Sequence, residues 1–238
     1  MLSQSTLSAA DIFKTKWIPL VLKDDNAIAG SVKYDNLNAA EGNDTVSGGA
    51  GDDEITGGLG NDKLLGGDGS DTLTGGSGND VLEGGKGIDS VNYASAVPGV
   101  KIDLLKGTVT SVVGSNLSGI GTDTIKTLEN IIASDYGDKL TGNADANNVE
   151  AGSGNDTLDG GLGNDILTGG DGADTFIFST KFSAKNIDVI DFEAGIDKIQ
   201  LSKIFTKLKL STDFLVLGST SDSSSHFVIY DPATGFIS

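Results

Sequence analysis

A large apolar residue stands at every ninth position along two stretches of the chain: Val46, Ile55, Leu64, Leu73, Leu82 and Val91, then Leu140, Val149, Leu158, Leu167 and Phe176. Its immediate neighbours are mostly polar, and this short alternation predicts a three-residue strand with its central side chain inward. The six residues before each strand are rich in glycine and read as a turn, because glycine supplies positive φ and close backbone approach. The units run AAEGNDTVS from Ala39, GGAGDDEIT from Gly48, GGLGNDKLL from Gly57, GGDGSDTLT from Gly66, GGSGNDVLE from Gly75 and GGKGIDSVN from Gly84. A second array has ASDYGDKLT from Ala133, GNADANNVE from Gly142, AGSGNDTLD from Ala151, GGLGNDILT from Gly160 and GGDGADTFI from Gly169. Stacking the inward residues would build one thin apolar core.

The repeated unit, GGxGxDxUx with U a large apolar residue, resembles the calcium-binding nonapeptide of the repeats-in-toxin (RTX) family. The resemblance implies an all-β fold, a right-handed parallel β-roll in which two units complete one coil. Every second unit then stacks on the same edge, with Asp44, Asp62 and Asp80 along one edge and Asp53, Asp71 and Asp89 along the other. In that family each ion is held by aspartate carboxylates together with carbonyls of positions two and four of one turn and one and three of the next. Carried over, this sets Gly49, Gly51 and Asp53 facing Gly66, Asp68 and Asp71. It likewise sets Gly58, Gly60 and Asp62 facing Gly75, Ser77 and Asp80. The second array offers Asp138, Asp156, Asp165 and Asp174 at the same position, and Asp188 falls where the family can supply a late ligand. Calcium suits such a site because it takes six to eight hard oxygen ligands and tolerates irregular geometry, whereas magnesium demands a strict octahedron. About six to eight ions are expected on that coordination. Three units depart from the pattern: 39–47 lacks the glycine pair, Tyr136 replaces a fourth-position glycine, and unit 142–150 has Asp145 and Asn147 in place of that glycine and the aspartate.

Charge adds a second argument. Of the 34 acidic residues 28 are aspartate, all 16 basic residues are lysine, and the net charge is −18. Residues 39–92 carry −9 and residues 133–177 carry −8, so nearly all of the excess lies in the arrays. Like charge at that density opposes compaction unless a cation sits within it. Nucleic acid is excluded as a partner, since phosphate binding needs basic patches that the chain lacks. There is no cysteine, so neither disulfides nor thiolate metal sites contribute. No stretch approaches the roughly 20 apolar residues of a membrane-spanning helix, and the first thirty residues lack the basic and apolar regions of a cleavable signal peptide.

Outside the arrays, residues 93–132 break the period. YASAVPGVKIDLLKGTV reads as a β-hairpin, and GTDTIKTLENIIAS leads into the second array, similar to the connecting segment between RTX blocks. Residues 179–238 are similar to the segment that closes the last roll, with Asp188-Val-Ile and Asp197-Lys-Ile in two short strands and a terminal hairpin from His226. The expected division is therefore an N-terminal cap at 1–38, with Phe13 and Trp17 available to cover the open core, a first roll block at 39–92, a bridge at 93–132, a second block at 133–178, and a C-terminal cap and candidate secretion-signal region at 179–238.

Catalysis has little to work with. His226 is the one histidine, and neither HExxH nor GxSxG occurs. The expectation is a non-catalytic, secreted calcium-binding module that folds on meeting extracellular calcium and supports export by a type I exporter. The alternatives are the non-catalytic tail of a secreted enzyme, such as an alginate epimerase, lipase or metalloprotease, and a segment of an adhesin or surface-layer protein.

Overall fold

The nine-residue alternation folds as short strands that stack at a spacing of two units. In the computed structural model, which describes residues 6–8, 23–112, 119–180, 188–201, 230, 231, 236 and 237, Val46 lies beside Leu64 and Leu64 beside Leu82, all in parallel register. Ile55, Leu73 and Val91 form the equivalent file in the facing sheet. The described residues contain no helix, and the molecule is a parallel β-solenoid of about eight turns. Phe13, Trp17 and His226 lie outside the described residues.

Between the sheets runs one continuous apolar core. Val46, Ile55, Leu64, Leu73, Leu82 and Val91 are fully buried, as are Leu158 and Phe176 in the second array. Each such side chain contributes about 1.5–3 kcal/mol on burial. One inward residue per strand is a narrow core, so the aspartates at the sheet edges weigh heavily in the balance.

The roll begins earlier than the repeat pattern suggests. Ala27–Ala29 pairs with Thr45–Ala50, placing Ile28 on Val46, and Asn36–Glu41 pairs with Glu54–Leu59, placing Leu37 on Ile55. The described part of the expected N-terminal cap is thus built from rungs of the roll itself. Strands of the first array are also longer than expected: Lys63–Asp68 spans six residues, running through the glycine pair where the repeat predicts a turn. Paired main-chain groups of Gly49 and Gly67, and of Ala50 and Asp68, carry the ladder on.

The expected hairpin is present, Val100–Asp103 pairing antiparallel with Thr108–Ser111. It is inserted into one sheet only, between Thr122–Lys126 and Lys139–Thr141. Thr122–Lys126 stacks on Val81–Lys86, and Asn130–Ile132 joins Ser90–Asn92 to Asn148–Glu150. The bridge therefore supplies a complete coil, and the two arrays form one uninterrupted roll. At the far end, Lys198–Leu201 stacks on Thr175–Phe178, and the expected terminal hairpin appears as Tyr230–Asp231 against Phe236–Ile237.

Candidate metal centres

Each ladder aspartate stands at the turn leading into a strand, two residues before the inward apolar side chain. Asp44, Asp53, Asp62, Asp71, Asp80 and Asp89 are all buried despite their charge. The spacing of two units fixes how they are held. The backbone N–H of Asp44 donates to Oδ1 of Asp62 at 2.7 Å, and that of Asp62 donates to Oδ1 of Asp80 at 2.8 Å. On the other edge Asp53 donates to Asp71 and Asp71 to Asp89, each at 2.8 Å. The two expected edge files are therefore real ladders. A second ladder at the preceding position runs the opposite way, the N–H of Asn61 donating to Oδ1 of Asn43 and that of Asn79 to Oδ1 of Asn61.

These bonds use one oxygen of each carboxylate and leave the other without a partner. Oδ2 is buried and unpaired in Asp44, Asp53, Asp62, Asp71, Asp80, Asp89, Asp156, Asp165 and Asp174. An isolated buried charge costs several kcal/mol even after relaxation. Nine such groups exceed anything the thin core offsets, so the fold calls for a positive charge at each.

Proton affinities register the same deficit. Burial pushes the carboxyls of Asp80 and Asp89 up to about 6 and that of Asp156 up to about 7, with neighbouring carboxylates adding to the rise. Asp53, Asp62, Asp71, Asp165 and Asp174 are raised as well, again chiefly by burial.

Beside seven of the nine unpaired oxygens a glycine five residues earlier keeps the space open, Ala39 and Ala151 standing there before Asp44 and Asp156. At Gly48, Gly57, Gly66 and Gly84 a carbonyl lines the same space. A Cβ on Gly57 would lie 2.3 Å from Oδ2 of Asp62 and 2.6 Å from the carbonyl oxygen of Gly75, one coil further on. Gly66 stands in the same relation to Asp71 and the carbonyl of Gly84. Gly58 and Gly60, with φ of 116° and 130°, make the turn that presents these groups. One carboxylate oxygen and carbonyls from two coils is the hard, irregular oxygen set that calcium accepts. The residues present therefore fit calcium. Among the described residues no three His, Asp or Glu side chains converge, so a site of this kind depends on the main chain.

The carried-over partners are brought together in the expected pairs, turn 48–53 against 66–71 and turn 57–62 against 75–80. The carbonyls of Asp68 and Ser77 accept the N–H of Gly51 and Gly60 at 2.8 Å. A carbonyl keeps a second lone pair after one such bond. The Asp68 side chain is exposed and paired with Lys86 at 2.8 Å.

In the second array, Asp138 and Asp156 donate to Oδ1 of Asp156 and Asp174, extending one ladder. Asp188 closes another, accepting the N–H of Asp165 at 3.3 Å, and its carboxyl is pushed up to about 7 by burial and by Asp165. Asp138 is held differently from the others. Its Oδ1 accepts from Val100, and its Oδ2 accepts from the Ser134 N–H at 2.8 Å and the Ser134 hydroxyl at 3.0 Å.

Four acidic ladder members lie outside the residues expected from the repeat. Asp35 donates to Asp53, Asp123 accepts from Asp80, Glu129 accepts from Asp89, and Asp197 accepts from Asp174. All four keep one signal of the repeat, an acid two residues before an inward apolar residue, namely Leu37, Ile125, Ile131 and Ile199. Asp123 differs in that the buried Tyr93 hydroxyl donates to its Oδ2. Burial pushes the Asp123 carboxyl up to about 7, while burial and that carboxylate hold the Tyr93 hydroxyl well above its ordinary value.

Comparison with known proteins agrees with this geometry. The RTX calcium-binding nonapeptide repeat (4 copies) matches residues 35–64, 56–91 and 141–176, covering the first array and the second from residue 141 on, and passes over the bridge, the hairpin and the turn that holds Asp138. No curated protein matches the chain. The ladders, the glycine cradles and the matched segments lead to one conclusion: this chain carries RTX calcium-binding nonapeptide repeats, wound as a parallel β-roll.

Proposed function

We propose that the chain is a non-catalytic calcium-responsive folding module of a secreted protein, disordered at low calcium and ordered outside the cell. The observation that carries this reading is the set of nine buried, unpaired Oδ2 atoms. Calcium, when bound, supplies the positive charge that these oxygens lack. Asp44, Asp53, Asp62, Asp71, Asp80 and Asp89 would hold ions in the first array, and Asp156, Asp165 and Asp174 in the second, each with turn carbonyls of its own and the next coil. Nine oxygens set an upper count of nine ions, slightly above the number anticipated from the sequence. Without the cation, carboxylate repulsion adds to chain entropy of about 1–2 kcal/mol per residue, and a core one residue deep per strand cannot offset both.

Such a chain would leave a calcium-poor cytosol unfolded through a type I exporter and fold on arrival, which the lysine-only, cysteine-free, acidic composition suits. The test is circular dichroism during titration with calcium and, separately, magnesium. The expected result is a rise of β-structure with calcium near 10⁻⁴–10⁻³ M, the range of extracellular modules, and little response to magnesium. A fully folded spectrum in excess chelator would overturn the reading.

A further inference from the structure

At five ladder positions a protein donor takes the oxygen that elsewhere stands unpaired, and at four of them it does so in the same way. The N–H of the residue four before the ladder side chain donates back to that side chain's free oxygen. Ser31 donates to Oδ2 of Asp35 at 2.6 Å, Ser134 to Oδ2 of Asp138 at 2.8 Å, Asn143 to Oδ1 of Asn147 at 2.9 Å and Glu193 to Oδ2 of Asp197 at 2.7 Å. None of these four donors has a positive φ.

The nine unpaired carboxylates show the opposite backbone. The residue four before each has φ between 75° and 126°, and this holds even at Asp44, where the residue is Ala40 rather than glycine. Rotation about N–Cα into that region points the N–H away from the turn's own carboxylate. Gly161 shows where it goes, donating to Asp159 rather than to Asp165, and Gly170 donates to Asp191 rather than to Asp174.

We propose that the residue four before the ladder carboxylate decides whether a turn takes up calcium. A positive φ there leaves the carboxylate open to an ion, and a residue without it closes the turn with its own N–H. Asp123 is the one exception among these turns, Gly119 having φ of 74° while the Tyr93 hydroxyl takes the open oxygen. The rule rests on the calcium reading above and sharpens it, because it divides the ladder into ion-binding and self-closed turns. Open turns fall in two runs, at Asp44 to Asp89 and at Asp156 to Asp174. Between them lie Asp123, closed by the Tyr93 hydroxyl, Asp138, closed by Ser134, and Asn147, closed by Asn143. Calcium would then load two separate arrays about a metal-free waist, and Asp138 would not be a ligand.

The experiment counts calcium ions on the 238-residue chain by native mass spectrometry at saturating calcium. Asp156→Asn should lose at least one ion and Asp138→Asn none. Converting the closed turn to an open one, with Ser134→Gly and Tyr136→Gly together, should add one ion. That gain carries the test even where Asp138→Asn weakens the fold, since destabilisation cannot add an ion. Equal losses from Asp138→Asn and Asp156→Asn, or no gain in the double-glycine variant, overturn the rule while leaving the calcium reading intact. A wild-type chain that binds no calcium overturns both.

Discussion

Turn 57–62 and turn 133–138 are the same length, end in an aspartate, and lead to a leucine two residues on, Leu64 and Leu140, buried in the same core. In the first, Gly58 has a positive φ, Oδ2 of Asp62 is unpaired, and the strand ladder runs through the glycine pair. In the second, Ser134 closes onto Asp138 and the strand that leads in, Asn130–Ile132, stops before the turn begins. The difference extends beyond one turn. Positive-φ residues stacked on one another carry the sheet forward, as with Gly49 on Gly67 and Gly58 on Gly76. In the second array Gly152 and Gly170 are so stacked, as are Gly154 and Gly172, and there the short strands Ser153–Gly154 and Asp171–Gly172 form. One backbone torsion thus links strand length, the pairing of a buried oxygen and, on the reading above, calcium.

The largest expected effect separates arrays from waist. Hydrogen exchange followed by mass spectrometry, in calcium and in chelator, should show peptides from residues 44–91 losing their protection entirely without calcium. Peptides around Tyr93, Val100–Asp103 and Thr122–Lys126 should lose less, because their buried carboxylates have protein donors. Uniform loss across the chain would erase the distinction.

Acid should act in opposite directions with and without metal. In the metal-free roll Asp80, Asp89 and Asp156 have carboxyls raised to about 6, 6 and 7, so the folded state binds protons more tightly than the unfolded chain. Its stability is therefore lowest above these values and rises as pH falls through them toward the ordinary carboxyl range near 3.9. In chelator the β-signal should be stronger at about pH 5 than at about pH 8, whereas the calcium concentration needed for folding should increase over the same descent, since the ligands must be ionised. A calcium midpoint that falls on acidification would contradict the assignment of these carboxylates as ligands.

Within the first array, central positions should outweigh the terminal one. Asp62→Ala or Asp71→Ala interrupts a ladder flanked by further unpaired carboxylates, whereas Asp44 is followed by Asp62 but preceded by the neutral Asn26. The calcium midpoint, read by circular dichroism, should rise several-fold more for the central variants than for Asp44→Ala, as expected of nearest-neighbour stacking. Equal midpoints would count against the stacking.

The repeat register was fully legible from side chains: every ninth residue inward, aspartates in two edge files, and the eleven units in their order. What escaped the sequence reading depends on main-chain geometry or on contacts distant along the chain. Strand length in the first array is set by main-chain pairing through glycines, which carry no side-chain pattern. Asp35 and Glu129 sit in units without the glycine signature. Asp123 keeps Gly119 and Gly121 at the second and fourth positions but falls outside the nine-residue frame, and Asp80 reaches it only because the hairpin loops out, raising their separation to 43 residues. The closure of Asp138 by Ser134 has a visible trace in the sequence, a non-glycine at the second position, but its meaning emerges only from the backbone torsion.

The smallest effect lies in the waist. Tyr93→Phe removes the donor to Asp123 and leaves a buried oxygen unsatisfied, costing about 1–3 kcal/mol. Thermal unfolding in saturating calcium should show this loss, and an unchanged melting curve would argue that the hydroxyl does not serve Asp123.

The most direct test of the central claim is the anomalous scattering of crystals grown in calcium. The account predicts peaks beside the unpaired Oδ2 atoms of Asp44 to Asp89 and of Asp156, Asp165 and Asp174, and none beside Asp123, Asp138 or Asn147. Peaks spread evenly along both ladders, or clustered on exposed carboxylates such as Asp68, would contradict it.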